Sequence, residues 1–104
     1  MDRKKYAIKA ASAFVKMVKT GGVKVKSAFL FGSYAIGKAH SESDIDVALV
    51  SPEFSGFRFD DIGKVSQFIW KSDANLEVHP FSPSDFNRKN LLASEVLEKG
   101  IRIA

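Results

Sequence analysis

A chain of 104 residues is long enough for one core and too short for two, and 45% hydrophobic content with nine Phe and three Pro argues against disorder. Sixteen basic against twelve acidic side chains give a net charge of +4, which suits an anionic ligand or partner: a nucleotide, a nucleic acid or an acidic protein surface. The absence of cysteine excludes disulfides and thiolate metal sites, so the chain reads as a cytoplasmic protein forming a single domain over residues 1–104.

The basic start, MDRKKYAIKAASAFVKMVK, has the charge of a leader, yet Lys9, Lys16 and Lys19 interrupt any apolar core, and no stretch approaches a membrane span. Instead Ala7, Ala11, Phe14, Val15 and Val18 recur at helical spacing until Gly21-Gly22, and the lysines between them read as the solvated back of an amphipathic helix. Val23 and Val25 then alternate with lysines before the continuous Ala28-Phe29-Leu30-Phe31, a strand entering the core. Residues 33 to about 37 suggest a short helix or turn. Ile45 to Val50 is a second strand, stopped by Ser51-Pro52, and Ile62, Val65, Phe68 and Ile69 mark a helix over Asp60–Lys71. Leu76 to Phe81 is a third strand. Ser82, Pro83 and Asp85 stand in the order of an N-cap, a first-turn proline and a third-position acid, predicting a turn of helix. A further helix over Leu91–Lys99 closes at Gly100, and Ile101–Ile103 supplies an edge strand. The class is α/β.

Alternation along the second strand puts Asp44 and Asp46 on one face and Ile45, Val47 and Leu49 on the other. The apolar set faces the core, so the carboxylates stand opposite, their Cα atoms roughly 6.6 Å apart, close enough to lean onto one divalent ion. In the third strand Glu77 and His79 share a face, and if that strand lies beside the second, Glu77 comes within reach of the aspartates. Three such carboxylates repel one another without a cation, whereas Mg²⁺ makes them a hard-oxygen site with positions left for phosphate and water. Gly32 and Ser33, directly after the first strand, offer close backbone approach, a hydroxyl and free N–H groups to an anion. Singly, an Asp-x-Asp reads equally as a solvated strand face and a Gly-Ser pair as a plain turn. His79 reads as a base or acceptor contact, or as a surface histidine before a proline.

Two decoys fall away. GSYAIGKA fits a phosphate-binding G-x-x-x-x-G-K loop only up to Ala39, which has no hydroxyl for a metal, and no long helix follows. An EF-hand fails because Ala48 stands at a ligand position and no glycine follows it.

Gly32-Ser33, then ten residues, then Asp44-Ile45-Asp46, with Glu77 in LEVHPF as a later third acid, resembles the minimal nucleotidyltransferases of the DNA polymerase beta superfamily. The resemblance implies a mixed sheet with helices packed on one face and, on the other, a nucleoside triphosphate held with two Mg²⁺. It implies transfer of a nucleoside monophosphate, AMP from ATP, to an acceptor hydroxyl. In that reading Asp44 and Asp46 hold both ions, Glu77 binds the ion that activates the acceptor, and Gly32 with Ser33 grips the β and γ phosphates. Ser43 precedes the acid pair as in relatives, where it is a nucleotide-binding candidate or a strand-start hydrogen bonder. Many relatives carry a basic residue where this chain has Ile36, a place Lys38 would have to fill. Many also pair with a HEPN-domain protein as its antitoxin, and some modify that partner with AMP. A non-catalytic binding module that neutralises a HEPN partner by covering it is the alternative, while a nucleic-acid acceptor stays open but is not favoured. Phe54, Phe57 and Phe59 form either a contact patch for such a partner or part of the core.

Overall fold

The computed structural model describes residues 2–104. Its elements run α1 (Arg3–Thr20), β1 (Ser27–Phe31), a 3₁₀ turn (Gly32–Tyr34), β2 (Ile45–Val50), α2 (Arg58–Trp70), β3 (Leu76–Phe81), α3 (Leu91–Lys99) and β4 (Ile101–Arg102). The strands form one mixed sheet in the order β3-β2-β1-β4. β1 pairs antiparallel with both β2 and β4, while β2 and β3, joined through α2, are parallel. Among the described residues no helix is long and apolar enough to cross a membrane.

Strand alternation splits the core in two. Ala28, Leu30, Ile45, Val47, Leu49, Leu76 and Val78 face α1 and α2, meeting Phe14, Val15, Val18, Val65 and Phe68. Phe31, Ala48, Val50 and Phe81 face the other way and meet Ala93 and Val96 of α3, with Phe29 and Phe86 packed at the margin. α1 and α2 thus back the sheet as the pattern of the sequence implies, and α3 covers part of the opposite face, leaving only one end of it open.

Local chemistry explains the boundaries. Asp2 caps α1 by accepting from the Lys5 N–H, and Asn90 caps α3 by accepting from the Ala93 N–H. The helix turn expected at Ser82, Pro83 and Asp85 is instead a tight turn, closed by the Asp85 N–H donating to the Ser82 carbonyl at 3.1 Å and the Ser82 hydroxyl donating to the Asp85 carboxylate at 3.0 Å. β1 begins at Ser27 rather than near Val23. Val23 and Val25 pack against the core from the preceding segment, whose Lys24 N–H donates to Glu53. Tyr6 donates to Asp73, tying α1 to the loop before β3, and that hydrogen bond pushes the phenol up to about 12.

α2 starts two residues earlier than its apolar pattern suggests, and Asp61 accounts for it. This fully buried carboxylate accepts from the Ser55 and Gly56 N–H groups at 2.8 and 2.9 Å and from the Ser55 hydroxyl at 3.1 Å. Burial alone raises its pKa, but those donors and the nearby Lys64 ammonium outweigh it and hold the carboxyl below the usual carboxylate range. A lowered folded-state value means a contribution that is present above about pH 4, where the unfolded carboxyl ionises, and that is lost as pH falls through the folded value. Asp61→Ala should therefore cost about 2–3 kcal/mol at pH 7 by urea denaturation, through donors left unpaired, with the gap to wild type narrowing below about pH 4.

Candidate active site

The site begins with strand register. Phe31 of β1 pairs with Asp46 of β2, and Asp46 pairs with Glu77 of β3. These three positions make one row across the sheet, each step about 4.8 Å wide. Because Ile45, Val47, Leu76 and Val78 are committed to the α1/α2 core, Asp46, Glu77 and His79 project from the other face. The Asp46 Oδ1 and His79 Nε2 atoms are 3.1 Å apart, and Glu77 Oε1 lies 3.9 Å from the same nitrogen. One donor atom from each of the three residues falls within 4.8 Å of the others. The His79 ring meets Phe31 edge-on at 4.9 Å between centroids and, like Asp46, is mostly buried, while Glu77 stands exposed.

The loop after β1 closes against this cluster. Gly32 adopts φ +75°, a left-handed conformation costly for side-chain-bearing residues, and a Cβ there would lie 2.3 Å from Asp46 Oδ2. Both conditions require glycine. The chain then turns through Gly32–Tyr34, with Ser33 half-buried and, like Gly32, at the start of a turn whose opening N–H groups have no partner within it.

Asp44 lies immediately before β2, exposed, and its carboxylate is outside the 4.8 Å group. Ser43 is buried and accepts from the His40 N–H at 2.9 Å, closing the turn that leads into β2. Lys38 is exposed on the turn after Ile36, itself an exposed apolar side chain. The phenylalanines divide: Phe54 is buried, whereas Phe57 and Phe59 are 66% and 84% exposed. Phe59, with Arg58, Ile62, Gly63 and the β3 residues Leu76 and Val78, lines a largely apolar groove that reaches Glu77. Sequence reading missed Arg58, which reaches back to the Val78 carbonyl at 3.4 Å; the one hint was the density of aromatics around it.

Two carboxylates and an imidazole at these separations suit a divalent cation, which would also relieve the repulsion between Asp46 and Glu77. Residues 9–103 match the family described as nucleotidyltransferase domain. The chain belongs to the nucleotidyltransferase family. As a nucleotidyltransferase it takes a nucleotide substrate. No curated protein matches the chain. Among solved structures, a Sulfolobus solfataricus protein assigned as a nucleotidyltransferase is similar at 20% identity with a TM-score of 0.71, over 96% of this chain and 81% of that one. A mutant toxin–antitoxin MntA–HpeT is similar at 18% identity and TM-score 0.59, over 86% of this chain and 68% of that one. A toxin–antitoxin with AMP-PNP follows at 19% and 0.58, over 89% and 72%. At these identities the likeness is one of fold.

Gly37 provides an internal control for Gly32 in this nucleotidyltransferase: it also has a left-handed backbone, at φ +76°, but nothing within 4 Å of a built Cβ. Gly37→Ala should cost the conformational penalty alone, about 1–2 kcal/mol. Gly32→Ala should lose at least about 1 kcal/mol more by urea denaturation, from the clash with Asp46. Equal losses would mean that the carboxylate swings aside freely.

Proposed function

We propose that the chain transfers AMP from ATP to a hydroxyl on a HEPN-type partner protein in the cytoplasm, with Mg²⁺ as the assisting ion and two ions per site. The observation that carries this reading is that Asp46 and Glu77, paired on neighbouring strands, abut the glycine turn at Gly32. Asp46 and Glu77 would hold the ions, with Asp44 leaning in from the start of β2. Gly32 and Ser33 would receive the β and γ phosphates through backbone N–H groups, with Lys38 as the available cation on that loop and Ser43 shaping it. When bound, the ions supply charge neutralisation to the phosphates and lower the pKa of the attacking hydroxyl.

The strand order supports a direction for the reaction. Displacement at phosphorus runs in line, so the acceptor must attack from the side opposite the leaving pyrophosphate. With the triphosphate tail over the β1 loop, the acceptor comes from the β3 side, where the groove of Arg58, Phe59 and Ile62 opens onto Glu77. Its largely apolar lining suits a protein side chain better than a sugar.

Exposed Phe57, Phe59 and Trp70 favour a second reading, a binding module that covers its partner without chemistry. Two of the similar structures are toxin–antitoxin proteins, one of them with AMP-PNP, which is compatible with either reading. Incubation with ATP labelled at the α-phosphate, Mg²⁺ and the neighbouring gene's product separates them. Transfer should label the partner, and Asp46→Ala and Asp44→Ala should each cut labelling by at least about 10²-fold, the cost of misplacing reacting groups. Neutralisation of the partner that persists in both variants, with no label in any lane, would establish the binder instead.

A further inference from the structure

We infer that His79 is itself a ligand of the bound ion, which gives the site a nitrogen donor and shifts its preference from Mg²⁺ toward borderline divalent cations such as Zn²⁺. The inference rests on the reading that Asp46 and Glu77 hold an ion. An octahedral ion about 2.1 Å from its ligands sets neighbouring ligand atoms about 3.0 Å apart and opposite ones about 4.2 Å apart. The His79 Nε2 atom sits 3.1 Å from Asp46 Oδ1 and 3.9 Å from Glu77 Oε1, inside that span. With all three donor atoms within 4.8 Å of one another, small side-chain movements would bring them onto one centre without any change of strand register.

The ring's surroundings point the same way. Its one hydrogen bond among the described residues is that from Nε2 to the Asp46 carboxylate, so a cation bound there would take the place of the Nε2 proton. Phe31 packs against the ring from the β1 side and holds it, 16% exposed, beside the two carboxylates. A hydrogen bond alone would serve one carboxylate, whereas this nitrogen lies between two. Mg²⁺ prefers an all-oxygen octahedron and keeps its waters, whereas imidazole nitrogen favours the later divalent metals. Mixed carboxylate and imidazole donors therefore discriminate between these ions by ligand type.

Only two histidines are present, and His40 is exposed with Nδ1 accepting from the Glu42 N–H, so it serves as an internal control. The test is a long-range ¹H–¹⁵N correlation spectrum of the imidazole rings in the full chain, titrated with Zn²⁺ and separately with Mg²⁺, without nucleotide. Zn²⁺ should move the His79 Nε2 resonance and leave His40 in place, and Asp46→Ala should abolish the movement. His79→Gln should lower Zn²⁺ affinity by more than about tenfold, at least what loss of a group supporting a metal site costs, and leave Mg²⁺ affinity within about twofold. If Zn²⁺ moves the Asp46 and Glu77 amides but not the His79 nitrogen, the ion site stands and His79 is no ligand. Equal loss of Zn²⁺ and Mg²⁺ affinity in His79→Gln would likewise overturn ligation, leaving the histidine as a support for Asp46. If neither metal moves the Asp46 or Glu77 amides, the ion site fails together with the inference.

Discussion

Parallel pairing of β2 with β3, in the register that sets Asp46 beside Glu77, is the constraint on which the site depends. The carboxylates do not favour this pairing, since they repel across it. The apolar residues between them enforce it. A slip of one residue would turn Leu76 and Val78 toward solvent and drive Glu77 into the layer occupied by Val65 and Phe68, burying a charge without a partner. Each buried aliphatic side chain contributes about 1.5–3 kcal/mol, so the back face of the sheet readily outweighs the electrostatic cost on its front.

The same logic extends to β1. Its antiparallel pairing with β2 brings the end of the strand opposite Asp46, and the chain can leave there only through a residue that tolerates both a left-handed backbone and a carboxylate at close range. Glycine meets both demands. Asp61 performs a parallel service on the other side, holding the Ser55–Gly56 loop so that α2 starts early and carries Arg58 and Phe59 to the rim near Glu77. α3 seals the far half of the front face with Ala93 and Val96, which confines the open surface to the end where the charged and imidazole groups lie. The candidate site thus lies on a surface whose shape is set by packing remote from it.

Much of this was legible in the residue pattern. The 3.6-residue spacing of Ala7, Ala11, Phe14 and Val18 and the alternation through Ile45–Val50 and Leu76–Phe81 marked α1, β2 and β3, because burial on one face imposes those periods. The spacing from Gly32-Ser33 to the acid pair marked the family, since a turn and the head of the next strand must meet at a fixed chain length. Less legible were features that depend on which neighbour a polar group finds. Ser82 and Asp85 have the composition of a helix start but bond each other, and the cap of α3 falls to Asn90 instead. Phe54, Phe57 and Phe59 look alike in sequence, yet one is buried and two are exposed.

The sequence by itself determined the elements, the face each strand turns to the core and the family, because periodicity and motif spacing are local or nearly local properties of the chain. Only the tertiary structure decided that His79 joins Asp46 and Glu77 while Asp44 stays outside their group, that α3 crosses to the front face, and that a groove runs from Phe59 to Glu77. The reason is physical: these relations are set by strand order and register between segments some thirty residues apart in the chain, as with Asp46 and His79, and no local propensity encodes a distance across a sheet.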